Sequence, residues 1–134
     1  MDKKINGLQV SSILYEELRN YLVKREKKVS VVDVSVGNDF GGQMYAKMKK
    51  KKIQKETGID FQSVHFDNPS LEELEDYIKS LSENPSITGI MIQLPLSEDL
   101  RMHERRILDA ISPQKDIDGL TTTSIGRLAL NENT

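Results

Sequence analysis

The 134-residue chain has no cysteine and only two histidines. Without cysteine there can be no disulfide, thiolate metal ligand or cysteine nucleophile. His65 and His103 are far apart and form no His-x-x-His or His-Glu-x-x-His pattern, so no metal site is expected. No apolar run approaches the ~20 residues needed to span a bilayer. The start, MDKKINGLQV, lacks the apolar core of a secretory signal. A cytoplasmic protein with no membrane partner is the expectation. Aromatic residues are 5% of the chain and the net charge is −2, which gives no global attraction to nucleic acid. There is also no G-x-G-x-x-G, the fingerprint of a dinucleotide-binding turn.

What is present suits one globular domain over residues 1–134, with 37% hydrophobic and 30% charged residues. Val10, Leu14, Leu18, Tyr21 and Leu22 recur at helical spacing between Leu8 and about Lys27. Val29 to Val36 is a valine-rich strand closed by Gly37-Asn38, and the following lysine-rich helix ends at Thr57-Gly58. Ile59 to Phe66 reads as a second strand. Ser70 and Glu73 then form a capping-box pattern ahead of the stripe Leu71, Leu74, Ile78 and Leu81. Ile87 to Leu94 is apolar at nearly every position, as a strand buried on both faces requires. A helix from about Glu98 to Ala110, the turn-like SPQKDIDG and a short apolar segment, Ile125 to Leu130, complete the chain. Alternating strands and helices predict an α/β fold, a three-layer domain with a mainly parallel sheet flanked by helices. Ligands in such folds gather outside the carboxyl ends of strands, here the loops Gly37 to Met44, Gln93 to Ser97 and Pro113 to Leu120.

Three stretches can carry chemistry. In GGQMYAKMKKKKIQKETG, Tyr45 and Lys49 are four residues apart and share a helix face. A ring there could stack on a planar substrate while the lysine moves a proton; equally, the stretch could be a solvated charge run with a tyrosine at its edge. Gln93-Leu94-Pro95 leaves the most apolar strand with an amide at its exit, able to hold a ligand or merely loop backbone. In Lys115-Asp116-Ile117-Asp118-Gly119 two carboxylates alternate, so that one can serve the turn and the other a ligand. His65 reads as a satisfied structural residue and His103 as solvent-facing.

Taken in order, an early I-N-G, V-x-V-G-N-D, Tyr-x-x-x-Lys, TGIMIQLPL, SPQKDIDG and IGRL cover nearly the whole chain. Together they resemble the folate-binding N-terminal domain of the bifunctional methylenetetrahydrofolate dehydrogenase/methenyltetrahydrofolate cyclohydrolase family. The resemblance implies that Tyr45 stacks on the folate, that Lys49 is the catalytic lysine, and that Gln93 hydrogen-bonds and positions Lys49. It implies that Leu94 and Pro95 line the substrate site and that Asp118 binds the pterin edge. It also implies tetrahydrofolate derivatives as substrates, NAD(P) as cofactor and a homodimer when full length. A Rossmann domain for NAD(P) is expected outside this chain, whose residues alone should not perform hydride transfer.

Several positions depart from the family pattern. Gly42 stands where a serine is usual, Ser97 replaces a proline, and Thr121 to Ser124 replaces a His-Pro-x-Asn type segment. The span from Lys49 to Gly58 is one residue longer, which makes Lys50 an alternative to Lys49. Asp33 sits where the strand is normally apolar, and without a partner it would be costly to bury. Two other functions compete with the enzyme: a non-catalytic folate-binding or regulatory module, and a nucleic-acid module built on Lys47 to Lys55.

Overall fold

The valine run becomes the middle strand of a parallel sheet. The computed structural model describes residues 4–37 and 40–132, so Asn38 of the expected Gly37-Asn38 turn lies outside the described part, as does Asp39. Strand β1 (Ser30–Val36) lies between β2 (Asp60–Phe66) and β3 (Gly89–Ile92), in the order β2-β1-β3. Both pairings are parallel, with Val31 beside Phe61 and Gly89 and Asp33 beside Ser63 and Met91. Parallel neighbours need long crossovers, and the helices α2 (Phe40–Thr57) and α3 (Leu71–Glu83) supply them. The expected α/β fold is therefore the observed one.

Side chains alternate across a strand, so the sheet has two unlike faces. Val32, Val34 and Val36 join Ile90, Ile92, Leu74, Ile78 and Leu81 in an apolar core under α3. The Ser70 hydroxyl accepts from the Glu73 N–H at 3.1 Å, which starts α3 where the capping pattern predicts. At the other end of α3, Lys115 Nζ donates to the Leu81 and Asn84 carbonyls, where a cation is favoured. The opposite face carries Val31, Asp33 and Ser35 and is covered by α2, with Ala46 buried and Lys49 Nζ 5.9 Å from the Phe61 ring centroid.

Elsewhere the expected elements shift. Helix α1 (Gly7–Val23) starts one residue earlier than its apolar pattern, because Asn6 Oδ1 accepts from the N–H groups of Leu8 and Gln9. It stops four residues short of Lys27. The stripe Val10, Leu14, Leu18 and Tyr21 remains exposed, and α1 rests on α2 through Arg19, which donates to the Glu56 carbonyl at 2.8 Å. The single helix expected from Glu98 to Ala110 is two short ones, α4 (Glu98–Arg101) and α5 (Glu104–Leu108). Breaking at Met102 leaves that residue exposed while Leu100, Ile107 and Leu108 all bury. His103, expected to face solvent, is half-buried in the joint. The third strand is shorter than Ile87 to Leu94, pairing with β1 only from Gly89 to Ile92. Ile125 to Leu130 belongs largely to a helix, α6 (Thr122–Ala129), capped by the Thr121 hydroxyl, which accepts from the Ser124 N–H. Among the described residues no helix is long and apolar enough to cross a membrane.

Two further contacts tie the loops to this frame. Gly89 lets Ile117 approach the sheet: a Cβ there would lie 2.7 Å from Ile117 Cγ1, closer than packing allows. Glu75 is 8% exposed on the buried side of α3 and takes Lys79 Nζ at 2.6 Å together with the Arg106 guanidinium of α5. Arg106, and then Lys79, hold its carboxyl well down, from an ordinary 4.5 to about 2.

Because native Glu75 binds its proton less readily than the unfolded chain does, its ion pairs stabilise fully above pH 4.5 and are lost as pH falls toward about 2. Thermal melts across that window should show Tm falling with acid, and Glu75→Gln should flatten the dependence there. Gly89→Ala should cost ~1 kcal/mol in denaturant melts, since half-exposed Ile117 can rotate away at the price of shifting its loop.

Candidate functional site

Because the strands run parallel, all three end at one edge of the sheet, and the loops that follow meet there. The chain leaves β1 through Gly37, whose φ of +105° favours glycine. It leaves β3 through Gln93, whose N–H donates to the Val34 carbonyl at 2.8 Å, and then passes through a cis Leu94–Pro95 peptide bond. Between these exits lies an open cleft of about 420 Å3, lined among others by Tyr45, Gln93, Leu94 and Pro95. Four of the residues singled out from sequence thus meet in one place. Tyr45 is 66% exposed on the first turns of α2, an aromatic face available to a planar ligand.

Lys49 is one helical turn beyond Tyr45, half-buried over Phe61 rather than in the cleft wall. The hydrogen bond expected from Gln93 to Lys49 is not formed. Gln93 Nε2 instead donates to Asp33 Oδ1 at 2.7 Å. Asp33 is 2% exposed, and its other oxygen, Oδ2, has no partner among the described residues. Burial pushes its carboxyl above the ordinary range and the nearby Asp118 charge adds to this, while the Gln93 bond and the Lys49 charge oppose it. Asp33 is therefore the group on which Gln93, Lys49 and Asp118 all act, and it was read from sequence only as a departure. A carboxylate inside a run of valines was the available signal.

The two aspartates of the KDIDG turn divide their work. Asp116 accepts from the N–H groups of Leu120 at 3.2 Å and Thr121 at 2.9 Å. Burial raises its carboxyl, but these bonds and the neighbouring hydroxyls outweigh that and hold it below the usual carboxylate range. Asp118 is exposed. His65 has both ring nitrogens engaged, Nδ1 with Ser35 Oγ at 2.8 Å and Nε2 with Gln43 Nε2 at 3.0 Å, yet it also lines the cleft. Ser97 Oγ, at the cleft wall, is buried without a partner among the described residues. Among those residues no three His, Asp or Glu side chains gather as a metal set. Nor do they suit a dinucleotide. The fingerprint glycines are missing, and the cleft's Arg101 turns its Nε–H to the Leu96 carbonyl at 3.2 Å.

The model of a family described as tetrahydrofolate dehydrogenase/cyclohydrolase, catalytic domain, matches residues 5–118. C-1-tetrahydrofolate synthase, cytoplasmic, of Drosophila melanogaster is 38% identical over 136 residues, spanning 97% of this chain and 14% of that protein. Bifunctional protein FolD of Clostridium tetani is 37% identical over 133 residues, spanning 96% of this chain and 47% of that one. The structure of a 5,10-methylenetetrahydrofolate dehydrogenase from the silkworm Bombyx mori matches with a TM-score of 0.85 at 30% identity, over 97% of this chain and 45% of its own. The chain spans less than half the length of each of these relatives. With the family model matching most of the residues and relatives of 37–38% identity spanning nearly the whole chain, the chain belongs to the tetrahydrofolate dehydrogenase/cyclohydrolase family, in its catalytic domain.

Proposed function

We propose that residues 1–134 are the folate-binding catalytic domain of an enzyme that oxidises 5,10-methylenetetrahydrofolate to 5,10-methenyltetrahydrofolate and hydrolyses that product to 10-formyltetrahydrofolate. The observation that carries this reading is the convergence of Tyr45, Gln93, Leu94 and Pro95 on one cleft, with Lys49 one turn along the same helix. The names of the relatives support it. NAD(P), which accepts the hydride in the oxidation, belongs in this reading to a second domain of the full-length protein, and no residue here is assigned to hold it.

The hydrolytic half falls to the chain's own side chains. The methenyl carbon is an electrophilic amidinium, so a water that attacks it must lose a proton, and N5 must gain one as its bond to that carbon breaks. Lys49 is assigned to carry that proton. Tyr45 stacks on the folate, Leu94 and Pro95 pack against it, Gln93 orients the reacting centre and Asp118 accepts hydrogen bonds from the pterin edge. Stacking and packing bind substrate and transition state alike, whereas proton movement acts only as bonds change. The two groups of residues should therefore separate in kinetics. A homodimer and a cytoplasmic location belong to the same proposal, and sedimentation of the full-length protein tests the first.

The test is turnover of methenyltetrahydrofolate by the full-length protein. Lys49→Ala should lower kcat by ~100-fold or more with folate binding retained, whereas Lys50→Ala should stay near wild type. Tyr45→Ala should instead weaken substrate binding, by up to ~10-fold. If the wild-type protein binds folate and turns nothing over, the enzymatic reading fails and a binding module replaces it.

A further inference from the structure

Asp33 is a charged residue in the most enclosed strand of the fold. It alternates with Val32 and Val34, which lie in the apolar core, so its side chain points to the opposite face, toward α2. That face needs no carboxylate for packing, since a valine would fill the same place without desolvating a charge. The side chain nevertheless has one partner at close range: Gln93 Nε2 donates to Oδ1 at 2.7 Å.

This bond has a directional consequence. An amide side chain presents a donor on one branch and an acceptor on the other, and the two are nearly equal in size. Asp33 Oδ1 is the acceptor in this bond, so the Gln93 amide turns Nε2 inward and leaves Oε1 as the branch for other partners. No protein donor engages Oε1 among the described residues, and Gln93 lines the cleft. We propose that Asp33 is a positioning residue, which locks the Gln93 amide with its acceptor oxygen turned to the substrate side of the site.

This rests on the cyclohydrolase reading above, and it gives that reading a part which none of the chain's recognised motifs contains. A valine at position 33 would leave the amide free to flip, so that its N–H groups meet the donors its oxygen should receive. The loss would fall on the reacting geometry more than on binding. Burying a carboxylate costs stability, and a valine recovers it.

The experiment is methenyltetrahydrofolate turnover by the full-length protein with Asp33→Val and Asp33→Asn, alongside thermal melts. Asp33→Val should lower kcat ~10-fold or more while KM moves less than ~3-fold, with Tm equal to or above wild type. Asp33→Asn, an amide that can turn either its acceptor or its donor branch toward Gln93, should recover kcat only in part, to between the valine protein and wild type. If the valine protein does not fold, Asp33→Ser, too short to reach the amide, should show the same selective loss of kcat. Wild-type kcat in a folded Asp33→Val protein overturns the inference alone, as does a loss of kcat that tracks a loss of Tm with no rescue by asparagine. A wild-type protein without turnover removes the functional reading and this inference together.

Discussion

A strand paired on both edges leaves its side chains only two directions, and in β1 those directions lead to different environments. One face meets α3 and is filled by valine, leucine and isoleucine, where burial of each large side chain contributes ~1.5–3 kcal/mol. The other meets α2, and there the chain places Asp33 and Ser35 in alternation. Parallel pairing brings the carboxyl ends of all three strands to one edge. The same pairing register therefore builds the core, aims the polar face and gathers the loops. A slip of one residue in β1 would exchange the two faces and destroy all three at once.

The polar face behaves as a connected set. Gln93 joins the cleft to Asp33, and the charges of Lys49 and Asp118 act on that carboxyl from α2 and from the KDIDG turn. Asp118 is brought there by a frame of ordinary contacts. Asp116 accepts the N–H groups that close the turn, Ile117 lies against Gly89, and Lys115 holds the end of α3. Stabilising interactions in the turn thus position a residue that itself contributes little to folding. The burial of Asp33 runs the other way, costing stability to fix an amide.

Elements whose cause is local were legible in the sequence. The valine run, the Ser70 cap and the stripe of α3 depend on neighbours within a few residues, and each was found where expected. What depended on tertiary contacts was not legible. The helix expected over residues 98–110 divides between Arg101 and Glu104, a break of which its own periodicity, with Leu100 and Ile107 on one face, gives no sign. α1 shows the converse: its apolar stripe is a true helical pattern, yet nothing in the periodicity says whether a partner covers it. In the site, Tyr45, Gln93, Leu94 and Pro95 could be read because motif and loop position agree. The link from Gln93 to Asp33 joins residues 60 apart and could be seen only once β1 and β3 were paired.

The lysine run shows how the fold distinguishes residues of one type. Lys47, Lys51, Lys52 and Lys55 are exposed, and Lys52 lies 5.7 Å from the Tyr15 ring centroid, on the side where α1 packs. Lys49 faces the sheet instead, over Phe61 and within reach of the Asp33 charge. Lys50 is also half-buried, but five residues from Tyr45 it is turned roughly a third of the way around the helix from that face. A charge run looks uniform in sequence because composition carries no direction. A helix laid on a sheet supplies the direction, so one lysine among six is half-buried over Phe61, where its charge acts on Asp33, while the exposed lysines of the run stay in water.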